Sequence, residues 1–346
     1  MQTSITHGTP KGHASLTART NGPAGLRWAA ILALALCGAL HGETFSYTDK
    51  MGRTLRLQTP VRGAVVYQLH EFIPALKAWD KIVGIGRFAY QNSLMLATKP
   101  DIATTVPSGG SGTDINIEAL LKAKPDVVIT WAVRPENIRF MEQKGLKVIA
   151  VYPDSIREMY DVLALLGTLF GREKEARETK AHMEAIFDLV RARAARVPVG
   201  GRARVLWTYS RQNSVAGFDS LSEDVFRLIG AENVAASVQQ RTADVSLETI
   251  LNWKPDTIFI WGSATYGSKD ILESTQWRGV QAVQGRRVYK APVWSTWSPC
   301  LAPIVLWIAA KTYPDLYRDV DVRAVTDKFF RDVYGIPMVA PGVSDF

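Results

Sequence analysis

A segment of 17 residues occurs twice in this chain, 130 residues apart, and this duplication limits the folds that the chain can adopt. Ile115–Trp131 reads INIEALLKAKPDVVITW, and Val245–Trp261 reads VSLETILNWKPDTIFIW. Both copies place a Glu, an apolar stretch, Lys-Pro-Asp, a strand-like run and a Trp at the same spacing. Pro ends a short helix, and the apolar run after Asp is typical of a buried strand. We therefore predict two lobes built on one plan.

Short apolar runs alternate with helical segments along the rest of the chain. The predicted buried strands are Ala64–Gln68, Lys81–Ile85, Asp126–Trp131 and Lys147–Val151 in the first half, and Arg204–Tyr209, Asp256–Trp261 and Arg287–Lys290 in the second. Helical segments such as Ile117–Lys122 and Leu221–Ile229 lie between them. Such alternation is typical of parallel sheets that helices cover on both faces. The predicted fold class is therefore α/β, with two Rossmann-like lobes.

A long helix is predicted between the two lobes. Arg172–Arg196 contains no Gly or Pro, and its apolar residues fall on one helical stripe. These residues are Met183, Ile186, Phe187 and Val190. A rigid helix of this length would act as a brace rather than a flexible hinge. The predicted organisation is a signal peptide at 1–42, an N-terminal lobe at 60–170, a connecting helix at 171–197 and a C-terminal lobe at 198–340.

The N-terminus has the pattern of an export signal. Residues 1–27 contain no acid and end in Arg27, and the apolar run Trp28–Leu40 has only 13 residues. A membrane-spanning helix needs about 20 apolar residues, so this run fits a secretory signal with cleavage after Ala39 or Gly42. The alternative of a lipid anchor on Cys37 is disfavoured, because the Leu before it is bulkier than a lipoprotein signal usually allows.

Charge and residue counts exclude several classes of protein. The net charge is +8, of which three charges lie in the acid-free first 42 residues, so the remainder carries +5. The basic runs are short, and we expect no nucleic-acid partner. After the signal only Cys300, His70 and His182 remain. They supply neither a disulfide nor a His/Cys metal site, so we expect no directly bound metal and no cofactor.

The duplicated segments resemble those of the substrate-binding proteins of ABC importers for ferric siderophores, haem and cobalamin. Val83–Gly86 (VGIG) and Leu228–Val234 (LIGAENV) extend this resemblance over residues 60–335. In that family the Glu of each segment meets Arg residues of the membrane permease, which implies this docking role for Glu118 and Glu248. As acids at helix N-termini they also favour the helix dipole. The resemblance implies a periplasmic monomer that serves a permease dimer.

The family binds its cargo between the lobes, at the carboxyl ends of the strands. The candidate contacts by position are Tyr67, His70, Arg87, Tyr90, the Gly109-Gly110 loop, Trp131 and Arg134 in the first lobe, and Tyr209, Arg211, Trp261, Tyr266, Trp294 and Trp297 in the second. Aromatic faces and Arg donors suit a planar or catecholate-like anionic chelate. Arg87 and Arg211 rank first, because a guanidinium beside an apolar strand needs an acceptor. The alternatives are core packing for the aromatic residues and a structural role for His70.

The expected cargo is a metal chelate, most simply a ferric siderophore, and Trp294–Pro299 (WSTWSP) is similar to the branch that imports iron or other metal chelates. Cobalamin, haem, a nickel–histidine complex or an oxyanion remain alternatives. An exported enzyme that modifies metal chelates is the alternative of a different class. Gly84–Ala89 matches G-x-G-x-x-A, but no clear helix follows it, and Ser108–Gly112 is not a G-x-S-x-G elbow. We therefore expect a binding protein.

Overall fold

The computed structural model describes residues 43–198 and 200–346, so the predicted signal peptide lies outside the described residues. A hairpin of β1 (Glu43–Thr48) and β2 (Thr54–Thr59) precedes the first lobe. This hairpin is not among the predicted strands, which begin at Ala64. Its turn contains Gly52 with a φ of 75°, a backbone conformation that favours glycine.

The first lobe is built on a four-stranded parallel sheet with the order β4-β3-β5-β6. Its strands are β3 (Ala64–Val66), β4 (Ile82–Ile85), β5 (Val127–Trp131) and β6 (Val148–Val151). The α-helices are α1 (Phe72–Ala75), α2 (Ser93–Thr98), α3 (Ile102–Thr105), α4 (Ile117–Ala123), α5 (Pro135–Gln143) and α6 (Ile156–Phe170), and 3-10 turns cover Trp79–Lys81 and Arg87–Gln91. The strands predicted for this half are confirmed.

After α6 the chain forms α7 (Glu173–Ala194) and enters the second lobe. The strands there are β7 (Arg204–Thr208), β8 (Ser214–Ala216), β9 (Glu232–Asn233), β10 (Thr242–Asp244), β11 (Thr257–Ile260) and β12 (Val288–Lys290). The helices are α8 (Leu221–Leu228), α9 (Leu247–Trp253), α10 (Ser268–Leu272), α11 (Gln281–Gln284), α12 (Leu301–Thr312) and α13 (Val322–Tyr334), with a 3-10 turn at Pro314–Tyr317.

The second sheet differs from the expected parallel sheet at one edge. Its order is β10-β8-β7-β11-β12, with β9 also pairing with β7, and both pairings of β8 are antiparallel. The physical reason is the short connection after β7, where the amide of Tyr209 donates to the carbonyl of Ser214 at 2.8 Å. A connection this short makes a hairpin, whereas a parallel pair needs a long crossover.

The long helix α7 packs against α6 of the first lobe and against α8, α12 and α13 of the second half. The stripe that the sequence predicted for this helix is buried. Met183, Ile186, Phe187 and Val190 are each at most 6% exposed. One apolar cluster runs from the first sheet through this stripe to α12 and α13. The helix therefore joins the two lobes through a shared core.

The duplicated sequence is also a structural repeat. Asn116 and Ser246 are the N-cap residues of helices α4 and α9, and their side chains accept hydrogen bonds from backbone amides within the first turn at 3.0 and 3.1 Å. Both helices end at a left-handed lysine, Lys124 with φ 47° and Lys254 with φ 48°. The Asp of each Lys-Pro-Asp then accepts a hydrogen bond from a backbone amide near the start of the first strand of its lobe. In the first lobe the donor is the amide of Arg62, just before β3, at 2.6 Å, and in the second lobe it is the amide of Arg204, the first residue of β7, at 2.7 Å.

Candidate ligand-binding site

Three aromatic residues meet where the carboxyl ends of the first sheet face the second lobe. Trp131 ends β5, Tyr152 follows β6, and Trp297 lies in the loop before α12. The ring centroids of Trp131 lie 5.0 Å from Tyr152 and 5.1 Å from Trp297, both edge to face. We call this aromatic contact, together with the adjoining residues Arg241 and Tyr209, the interlobe cleft.

Two indole donors in the cleft are buried without an acceptor. The Nε1 atoms of Trp131 and Trp297 have no hydrogen-bond partner among the described residues. The indoles of Trp207 and Trp294 share this property, but both residues are at most 3% exposed within the apolar core, where Trp294 packs against Phe330 with the centroids 5.0 Å apart. A buried donor without an acceptor costs about 1–3 kcal/mol. In the cleft, an acceptor on a ligand would remove that cost.

Arg241 of the second lobe reaches across to the first. Its guanidinium lies 4.0 Å from the centroid of the Tyr152 ring and donates to both oxygens of Asp154, at 2.5 and 2.7 Å. The hydrogen bonds to Asp154 raise the pKa of Arg241. Lys50 lies 3.3 Å from the same carboxylate. The only negative charge in direct contact with Arg241 among the described residues is therefore this aspartate.

The second lobe adds phenols to the cleft. Tyr209 lies with its ring centroid 6.2 Å from Trp261, and burial raises the pKa of Tyr209 to about 12. Burial also raises the pKa of Tyr152. Both phenols are therefore protonated at neutral pH and can donate. Tyr209 and Trp297 line a small cavity of about 20 Å³, large enough for roughly one water molecule.

Tyr266 has a tethering role in the structure. Its hydroxyl donates to Thr208 Oγ1 at 2.8 Å and lies within 3.1 Å of the carbonyl oxygens of Tyr209 and Arg211. Burial raises the pKa of Tyr266 to about 12, so the phenol keeps its proton. Tyr266 therefore holds the turn that carries Tyr209. The ligand contact that the sequence predicts for Tyr266 stays a prediction.

The reason for ranking Arg87 and Arg211 first is wrong. Arg87 pairs with Asp114 at 3.0 Å, and Arg211 pairs with Asp244. Both guanidiniums are exposed, 52% and 68% respectively, because the 3-10 turn after β4 and the turn after β7 lie at the surface. Neither is a buried cation in need of an acceptor, and a cargo that bound them would compete with a carboxylate already in place.

Three first-lobe candidates have hydrogen-bond partners for their polar atoms within the first lobe itself. They are Tyr67, His70 and Tyr90. The hydroxyls of Tyr67 and Tyr90 donate to the carbonyls of Gly109 at 2.8 Å and Val106 at 2.7 Å. His70 Nδ1 lies 3.2 Å from the carbonyl oxygen of Tyr67, and burial lowers the pKa of this imidazole, opposed by the charge of Glu71. Burial raises the pKa of Tyr67. These contacts favour the structural alternative.

The remaining candidates lie apart from the aromatic contact or carry surface charge. Arg134 is 57% exposed and lies 3.5 Å from Glu136. In the Gly109-Gly110 loop, Gly110 has a φ of 87°, and a Cβ there would lie 2.3 Å from the carbonyl oxygen of Asp114, so a larger residue does not fit. The docking candidates Glu118 and Glu248 are both exposed at the starts of α4 and α9.

A buried carboxylate that sequence reasoning missed also joins the lobes. Glu71 is 1% exposed. Its carboxylate accepts hydrogen bonds from the Ser298 hydroxyl at 2.6 Å, from the backbone amide of Ser295 at 3.2 Å and from the side-chain amide of Asn92 at 2.7 Å. The serines belong to the loop that carries Trp297. Glu71 therefore positions this loop against the first lobe. Only the proximity of Glu71 to a strand end could have signalled it.

The described residues contain neither a cluster of metal-ligating side chains nor a membrane-spanning helix. In residues 43–198 and 200–346, His, Cys, Asp and Glu side chains form no group of three or more that could hold a metal ion. No helix in those residues has the length and apolar character required to cross a membrane.

Comparisons with known proteins agree with this arrangement of two lobes and a cleft. Molybdate-binding protein MolA of Haemophilus influenzae is 24% identical over 330 residues, covering 83% of this chain and 90% of MolA. The high-affinity heme uptake system protein IsdE of Staphylococcus aureus is 25% identical over 202 residues, 56% of this chain and 68% of IsdE. The nickel–histidine complex of Helicobacter pylori CeuE superposes with a TM-score of 0.76 at 22% identity, covering 85% of this chain and 96% of CeuE.

These relatives are named as binding and uptake proteins, and the class they point to is that of the periplasmic binding proteins. The profile described as "Periplasmic binding protein" matches residues 64–293, more than half of the chain, and the chain belongs to that family. The predicted fold class and family resemblance are confirmed.

Proposed function

We propose that this protein captures an anionic, metal-containing cargo whose surface carries oxygen acceptors, and delivers it to its permease. The observation that carries the proposal is the pair of buried indole donors, Trp131 and Trp297, beside Arg241 and the protonated Tyr209. Donors outnumber acceptors here, so the ligand must supply the acceptors. A ferric chelate with catecholate, hydroxamate or carboxylate oxygens has this chemistry and remains the first candidate.

A molybdate-type oxyanion is the second candidate, and one of the relatives favours it. MolA, a relative that aligns over most of this chain, is named for molybdate. Ferric complexes and molybdate differ in size but share the outward-facing oxygen atoms that the indole donors require.

For delivery, we propose that Glu118 and Glu248 contact basic groups of the permease. One exposed carboxylate per lobe can pair with two equivalent basic sites and sense the spacing of the lobes. The test is charge reversal, Glu118→Arg together with Glu248→Arg, in a strain that depends on this transporter. Uptake of the cargo should be abolished, while the cargo affinity of the purified protein stays unchanged.

The control for charge reversal is Glu136→Arg with Glu273→Arg, which changes the net charge equally at exposed glutamates outside the duplicated segments. This variant should import normally. Normal uptake by the Glu118→Arg, Glu248→Arg variant would refute the docking role of these residues.

A further inference from the structure

Each docking glutamate has an aspartate at the same place beside it. Asp114 precedes Glu118 by four residues, and Asp244 precedes Glu248 by four, so the aspartates share the 130-residue spacing of the repeat. The seven residues that begin at each aspartate also share one alternation of exposed and half-buried positions, which ends at a buried apolar residue. The surface around the two glutamates is therefore built twice in the same way.

Each aspartate holds an arginine that comes from a different part of its lobe. Arg87 follows β4 and lies 3.0 Å from Asp114, whereas Arg211 follows β7 and pairs with Asp244. The arginines do not follow the spacing of the repeat and belong to non-equivalent turns. The duplicated segment alone therefore does not account for the Asp–Arg ion pair that lies beside both α4 and α9.

In the first lobe, the arginine and the docking glutamate line the same surface depression. This open depression of about 530 Å³ is bordered by Arg87, Asp114 and Glu118. A basic group of a partner that approached Glu118 would therefore also meet Arg87. An unpaired arginine there would repel that group or bind the glutamate itself. The aspartate prevents both by neutralising and holding the guanidinium.

We propose that the aspartate of each pair keeps its arginine away from the neighbouring glutamate, and so leaves that glutamate free for a basic site on the partner. The inference rests on the proposed function, in which the partner is the permease. Since the arrangement occurs once in each lobe, it fits a partner with two equivalent basic sites. Each docking surface then carries a net charge of −1, instead of the zero net charge it would have without the aspartate.

The test measures binding of the full mature protein to its own permease complex in lipid nanodiscs. Asp114→Asn with Asp244→Asn should weaken binding about tenfold, because two arginines are released beside the glutamates. Adding Arg87→Gln and Arg211→Gln to the same chain should restore the affinity. Quenching of tryptophan fluorescence by ferric catecholate or molybdate, whichever binds the wild type, should be unchanged in the Asp114→Asn, Asp244→Asn variant.

Several outcomes would overturn the inference. These are unchanged permease binding in the aspartate variant, no restoration in the fourfold variant, or a loss of cargo quenching in the aspartate variant. If the aspartate variant does not fold, Arg87→Gln with Arg211→Gln alone must bind the permease at least as tightly as the wild type, and weaker binding overturns the inference. Glu118→Gln with Glu248→Gln separates the two proposals: if it leaves binding unchanged, the docking role itself fails.

Discussion

Trp131 and Trp297 meet edge to face across the boundary between the lobes, with their ring centroids 5.1 Å apart. Their indole Nε1 atoms are both buried and have no acceptor among the described residues. A neighbouring cation, Arg241, has its acceptor in Asp154. The cleft thus holds two neutral donors in need of an acceptor and one cation paired with an internal carboxylate. An anion that enters the cleft could accept hydrogen bonds from both indoles and compete with Asp154 for Arg241.

Replacing either indole by a phenyl ring should weaken cargo binding without lowering the stability of the folded protein. Trp131→Phe and Trp297→Phe keep an aromatic ring but remove the N–H, so each should reduce cargo affinity by about tenfold. The melting temperature should stay or rise, because a buried donor without a partner is lost. Trp277→Phe, in the apolar core of the second lobe, is the control and should lower stability at unchanged affinity. Unaltered affinity in both cleft variants would refute the donor role.

Arg241 and Asp154 should act on cargo affinity in opposite directions. Arg241→Gln removes the cation and should reduce the affinity for an anionic cargo by about 10- to 100-fold. Asp154→Asn removes the competing carboxylate and should increase that affinity severalfold. Isothermal titration calorimetry measures both, with the exposed Arg278→Gln as the matched control. A fall in affinity on Asp154→Asn would mean that Asp154 shapes the cleft rather than competes with the cargo.

His70 should make the protein less stable below neutral pH. Burial lowers the pKa of His70 in the folded protein, so below its unfolded value of about 6.5 the unfolded chain binds the proton more tightly. The contribution of neutral His70 to the free energy of unfolding is therefore complete above that pH. As the pH drops to about 5, the free energy of unfolding should fall by at most about 1.4 kcal/mol per pH unit. Urea unfolding at several pH values measures this slope. His70→Gln should flatten the slope, and an unchanged slope in that variant would show that other groups carry it.

The fold was largely predictable because its signals are local. The Lys-Pro-Asp segments contain their own helix stop and strand start, and the stripe on α7 is legible from four apolar residues. The hairpin edge of the second sheet was not predictable in the same way. It depends on the turn after β7, where Tyr209 bonds to Ser214, and no strong turn sequence marks it.

The cleft was predictable only in part. Trp131 and Trp297 were found by their place after a strand and in a Trp-rich loop, and the same rule applied to Val148–Val151 would have found Tyr152. Arg241 carried no signal, because its partner Asp154 lies 87 residues away in the other lobe. Arg87 and Arg211 were ranked first because the positions of their partners were not visible in the sequence. Long-range pairing decides which cations remain for a ligand.

The most direct test of the central claim uses the nine tryptophans of residues 43–346. This protein would be titrated with ferric catecholate, ferric hydroxamate, molybdate, haem, cobalamin and nickel–histidine, and intrinsic fluorescence would be followed. The account predicts saturable quenching by an anionic, oxygen-bearing ligand, a ferric chelate first and molybdate second, and an affinity weakened by more than about tenfold in the Trp131→Phe, Trp297→Phe double variant. Silence across the panel, or quenching that persists with unchanged affinity in the double variant, would contradict it.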